Sequence, residues 1–138
     1  MRVMVLVKAD GEAGQMPSER LLTEMTAFNE GLVEAGVMQA GEGLHPSSEG
    51  VRVSSTGERA VTRGPFEASR ELVAGFWIWK VASLDEAIEW AQKIPNPDGT
   101  EGEVELRPIF ESEDFGDELT AELREREARL REKTEADA

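Results

Sequence analysis

Two stretches of this chain are β-prone and apolar at almost every position. Val3-Met4-Val5-Leu6-Val7 is unbroken, and Gly75 to Val81 (GFWIWKV) is interrupted only by Lys80. A strand with one wet face alternates apolar and polar residues, whereas a strand apolar throughout has to be covered on both faces. In the second stretch the pleat puts Phe76 and Ile78 on one face and Trp77 and Trp79 on the other. A chain of 138 residues is most simply one domain with one core. Its own helices cover one face, so a second copy is expected on the other, and the protein is expected to be a homodimer.

The remaining elements follow from changes of period. Gly11, Gly14 and Pro17 mark a loop. From Ser18, a suitable N-cap, Leu21, Met25, Phe28, Leu32 and Ala35 form a helical stripe that Gly36 can close. Val37–Ala40 can begin a strand before GEGLHPSSEG, where Gly and Pro interrupt regular structure. Val51 and Val53, then Arg59 to Thr62, read as a hairpin around Thr56-Gly57. Ser83-Leu84-Asp85-Glu86 is a capping box opening a helix with Leu84, Ala87, Ile88 and Ala91 inward, and Pro95 bars its continuation. Val104 and Leu106 alternate with charged residues in a last strand. The order β-α-β-β-β-α-β predicts an α+β sandwich of ferredoxin-like type.

Charge narrows the partners. With 29 acidic and 15 basic residues the net charge is −14, the wrong sign to replace nucleic-acid counterions or to sit on an anionic membrane. Neither partner is expected. With no cysteine, disulfides and thiolate metal sites are excluded. The run Val3–Val7 is too short for a signal-peptide core or a membrane span. A cytoplasmic location fits these features. The composition changes beyond Phe115, and 116–138 read as an acidic helix or tail. Glu122–Arg126, Glu125–Arg129 and Glu127–Arg131 are spaced as i,i+4 pairs.

The segments GEGLHPSSEGVRV, TRGPFEASRELVAGFWIWKVASLDEAIEWAQKIP and EVELRPIFE together resemble the YCII-related, or YciI-like, proteins, in the branch named for its DGPF motif. The resemblance runs from Val3 to about Phe115, so a domain over 1–115 is expected. It implies a ferredoxin-like subunit whose sheets pair into a dimeric α+β barrel with a cleft proposed as an active site. Two departures stand out. The motif reads Arg63-Gly64-Pro65-Phe66 here, a base replacing the naming acid. The histidine–aspartate pair of the YciI branch has its histidine on the first helix, and Ser18 to Gly36 contains none.

The candidate chemistry gathers around His45, the one histidine. Held by Pro46 and oriented by Glu42, it could serve as a catalytic general base; equally, it could bond only loop backbone. Ser47 and Ser48 are too near it in sequence for a hydrolase triad. Arg63, fixed at the Gly-Pro corner, could clamp a carboxylate or phosphate, or pair with Glu67 or Glu71. Trp77 and Trp79 offer either a flat ligand wall or inter-layer core. A cleft of Glu42, His45, Arg63, Phe66 and Trp79 binding a small molecule, with an anion among the candidates, is the expectation, and catalysis is left open. A non-catalytic interaction module is the alternative. No metal-ligand spacing or phosphate-binding loop is present, so no cofactor is expected.

Overall fold

The elements run β1 (Arg2–Ala9), α1 (Glu19–Glu34), β2 (Met38–Gly43), β3 (Val51–Val53), β4 (Val61–Arg63), β5 (Val73–Lys80), α2 (Leu84–Ala91), β6 (Gly102–Pro108) and α3 (Ala121–Ala136). They are seen in a computed structural model that describes residues 1–9, 17–67, 71–99 and 102–136. The loop expected at Gly11 and Gly14 lies outside these residues. By its contacts the chain divides into two units, Met1–Pro108 and Ile109–Ala138, a boundary earlier than the change of composition.

In the first unit, four strands form one sheet in the order β2-β5-β1-β6, with every neighbouring pair antiparallel. Strands β1 and β2 are therefore parallel across β5, and β5 and β6 are parallel across β1. Two β-α-β units interleave, which is the ferredoxin-like α+β sandwich that the element order predicts. The two most apolar strands, β1 and β5, occupy the centre because only interior strands are covered along both edges.

Register decides the two faces. Val5 pairs with Trp77 and Leu106, and Val3 with Trp79. These side chains, with Leu32 of α1 and Ala87 of α2, form the core. Val3, Val5, Leu32 and Trp79 are fully buried. Phe28 crosses this layer edge-on to Trp77, Trp79 and Trp90, with centroid separations of 5.9, 6.4 and 6.4 Å. Both helices thus lie on the Trp77/Trp79 face. The opposite face carries Met4 beside Ile78 and Leu6 beside Phe76, all half-buried, and neither α1 nor α2 packs on it.

Helix boundaries follow their caps. The Ser18 hydroxyl accepts the Leu21 N–H at 3.0 Å and donates to Asp98, and Gly36 ends α1 at φ +73°. In α2 Ser83 Oγ accepts the Glu86 N–H, while Glu86 accepts the Ala82 N–H at 2.6 Å. The inward stripe of α2 differs from expectation. Leu84 and Ile88 are exposed, whereas Ala87 is buried and Trp90, Ala91 and Ile94 pack on the core. Both stripes have helical spacing; the larger apolar area of Trp90 selects the second.

The second strand also differs. Regular structure was expected to stop at Gly41, yet β2 runs through Gly41-Glu42-Gly43 along β5. Cross-strand pairing outweighs the low intrinsic strand preference of glycine. The hairpin β3–β4 forms a separate two-stranded sheet.

In the second unit α3 buries no residue. The three expected Glu–Arg pairs are not closed among the described residues. Instead Arg124 donates to the carbonyl oxygens of Leu119, Ser112 and Phe115, and Phe110 stacks on Phe115 at 5.0 Å.

Candidate functional site

A cavity of about 230 Å³ lies beside α1 at the Gly43–Gly75 end of the β2–β5 pair. Its origin is three glycines in two paired strands. A methyl group at Gly41 would stand 2.6 Å from Cδ1 of Trp77 and 2.7 Å from Cε of Met38, so glycine there admits the indole. A methyl group at Gly75 would stand 2.9 Å from the Glu42 carbonyl oxygen, so glycine there admits the neighbouring backbone. At Gly43 a methyl group would meet nothing within 4 Å. Gly43 is partnered with Gly75, and the place a side chain at Gly43 would occupy is open space.

Val7, Met25 and Trp77 supply the apolar wall, and Asn29 supplies a polar group from α1. The Trp77 Nε1–H donates to Asn29 Oδ1 at 2.9 Å. That bond fixes the indole against the cavity and satisfies a donor that would otherwise be buried. A second cavity of about 530 Å³ lies between α1, α2 and β6. Its lining includes Lys8 and Gly102, each close in sequence to residues outside the described set.

The residues singled out in the sequence fall in different places. Glu42 lines the 230 Å³ cavity. Trp79 is wholly buried in the core, and its strand neighbour Trp77 is the tryptophan at the cavity wall. His45 is exposed, with Nδ1 3.0 Å from Glu49 rather than beside Glu42. Arg63 ends β4, partnered with Val51, and makes no ion pair among the described residues. Phe66 takes the Arg52 guanidinium over its ring at 3.9 Å.

The Gly64-Pro65-Phe66 corner, whose Gly-Pro bond is cis, is seated on the 3-10 turn Ser47–Glu49. Gly64 N–H donates to the Gly50 carbonyl, and Phe66 N–H to Ser47 Oγ, each at 2.9 Å. The turn after His45 and the corner after Arg63 are therefore in backbone contact, as the hairpin between them requires.

Reasoning from the sequence missed Asn29, Met25 and the three glycines. Glycines inside strand-like sequence, which signal a close approach or a gap, could have found the last. Among the described residues no group of three His, Cys, Asp or Glu side chains is placed to hold a metal ion, and no helix is long and apolar enough to cross a membrane.

Fold and cavity together define a ferredoxin-like α+β domain with a glycine-cleared pocket beside its first helix. The chain belongs to the YCII-related family, whose domain model matches residues 1–113. It is also 34% identical over 92 residues to an uncharacterized protein of Rhizobium meliloti (strain 1021), covering 66% of this chain and 74% of that one.

Proposed function

We propose that this protein binds a small, flat, mainly apolar molecule in the cavity beside α1, as one subunit of a dimeric α+β barrel. The observation that carries the reading is the Gly43–Gly75 pair. It leaves a gap walled by Trp77 on the face of the sheet that the helices cover, and such a gap with few polar groups is the usual form of a small-molecule site. The test uses tetralin as probe and the Trp77 indole N–H resonance as readout. Wild-type protein is expected to show a saturable shift, and Gly43→Leu, which fills the space without a backbone clash, is expected to lose it while keeping its melting temperature. An unresponsive wild type, or a Gly43→Leu variant that still responds, would overturn the proposal.

The barrel rests on the second face of the sheet. Met4, Leu6, Phe76 and Ile78 form an apolar centre, bordered by Lys8, whose ammonium lies 2.9 Å from Glu105, and by Arg107, 3.2 Å from the same carboxylate. The Lys8 hydrogen bond, then that of Arg107, holds the Glu105 carboxyl below its ordinary value. Any stabilisation from this trio is present above the unfolded carboxylate range and is lost as pH falls through the lowered value. An apolar face with a paired polar rim suits contact with a second copy. Wild-type protein is expected to sediment as a dimer at micromolar concentration and Ile78→Asp as a folded monomer. A monomeric wild type would refute the barrel.

The Arg63-Gly64-Pro65-Phe66 corner favours the DGPF-motif branch, and the absence of cysteine favours a cytoplasmic location. A second reading takes an anion at Arg63, with His45 as proton carrier. The observation for it is the guanidinium left without an ion pair among the described residues. Both side chains are exposed, so the cavity beside α1 is the better-supported site. A protein-interaction role would use Val51, Val53 and Val61, which are exposed on the hairpin.

A further inference from the structure

Resting on the cavity being the ligand site, we infer that the Asn29 carboxamide is its specificity-determining donor, and that the ligand it selects is a neutral molecule carrying a carbonyl oxygen. The argument begins with Trp77. An indole N–H can only donate, so its partner atom on Asn29, 2.9 Å away, has to be the amide oxygen. The bond therefore settles which end of the amide faces the indole. The other end, Nδ2, carries two N–H donors that find no acceptor among the described residues. Asn29 is half-buried on α1 and stands in the cavity wall. An uncommitted donor beside an apolar wall disfavours a pure hydrocarbon and favours a ligand with an oxygen acceptor.

The charge of that acceptor follows from the rest of the lining. Among the described residues no lysine or arginine lines this cavity, and the one ionisable lining residue is Glu42, in a chain of net charge −14. A carboxylate or phosphate moved into such a place would leave water for a single amide, with an acid nearby. A ketone, amide or lactone oxygen loses far less hydration and is fully served by Nδ2. A ring against Trp77 with a carbonyl directed at Asn29 satisfies both the apolar wall and the donor.

Three probes of similar size separate the outcomes: tetralin, 1-tetralone and 1-naphthoate, each titrated against the Trp77 indole resonance. Wild-type protein is expected to bind 1-tetralone about tenfold more tightly than tetralin, and 1-naphthoate more weakly than either. Asn29→Asp keeps an acceptor for the Trp77 N–H but removes the donor. It is expected to abolish the preference for 1-tetralone, bringing the ratio of the two affinities from about ten to about one. Equal binding of tetralin and 1-tetralone by wild type would overturn the role of Asn29 and leave the cavity reading standing. A preference for 1-naphthoate would overturn the neutral-ligand assignment. No response to any probe would overturn both readings. The comparison of probes on wild-type protein needs no variant, so it holds even if Asn29→Asp folds poorly.

Discussion

Trp79→Ala is expected to lower folding stability by about 3–5 kcal/mol, the range for emptying a tryptophan-sized core site. Domains of this size hold only about 5–15 kcal/mol in total, so the variant should be near the edge of folding. Trp79 is fully buried on an interior strand, between Val3 and Met38 in register. Its ring lies 5.6 Å from that of Trp77 and 6.4 Å from that of Phe28. Removing it takes one aromatic contact from each of these neighbours, and a rigid sheet cannot collapse to close the hole. Trp79→Phe should cost much less. The buried Nε1–H of Trp79 has no hydrogen-bond partner among the described residues, and phenylalanine removes that unsatisfied donor together with part of the volume. Urea unfolding measures both variants: the midpoint should fall steeply for alanine and modestly for phenylalanine, with an unchanged slope. An alanine variant with the wild-type midpoint would show that the aromatic layer does not hold the core.

The same strand shows how far the sequence can be read. Alternation alone separates Trp77 and Trp79 from Phe76 and Ile78, because a pleat has a period of two and no tertiary contact changes it. Ser18, Ser83 and Gly36 are legible for a similar reason, since a cap is a local bond between near neighbours. The inward face of α2 was not legible. Residues 84, 87, 88 and 91 and residues 87, 90, 91 and 94 both fit one turn in 3.6, and the second set is selected by the large apolar area of Trp90, packed against Phe28 of another helix. The cavity was hidden more deeply, since it exists because Gly43 and Gly75, thirty-two positions apart, become partners. Of the five residues expected to line one cleft, Glu42 lines the cavity and Trp79 lies in the core. His45, Arg63 and Phe66 belong to the corner and turn around the hairpin. The corner was legible as a rigid turn, but its seat on Ser47 depends on a contact between segments that no spacing encodes.

Gly64→Ala is expected to unseat that corner. A methyl group at Gly64 would stand 1.7 Å from the carbonyl oxygen of Ser47 and 2.6 Å from its carbonyl carbon. Both obstacles are backbone atoms, so no rotamer change relieves the overlap, and the two segments have to separate by more than an ångström. Separation breaks the Gly64–Gly50 and Phe66–Ser47 hydrogen bonds, each worth about 0.5–1.5 kcal/mol net. Forcing a methyl group into a filled site adds about 1–3 kcal/mol. The sum, roughly 2–6 kcal/mol, is an upper bound on the global cost, because the corner can open while the sheet stays closed. Amide hydrogen exchange distinguishes the two. In the variant, the amides at position 64 and Phe66 should exchange far faster than in wild type, while those of Trp77 and Trp79 on β5 keep their protection. Gly31→Ala serves as the control. It lies inside α1 with nothing within 4 Å of the added methyl, so it should stabilise by about 0.5–1 kcal/mol through helix propensity alone. Retained protection at Phe66 in Gly64→Ala would mean that the close approach at Ser47 is not what requires glycine in the motif. Loss of protection confined to the corner would establish that the Gly-Pro-Phe segment closes the base of the hairpin, and that Arg63 owes its fixed position to this seat.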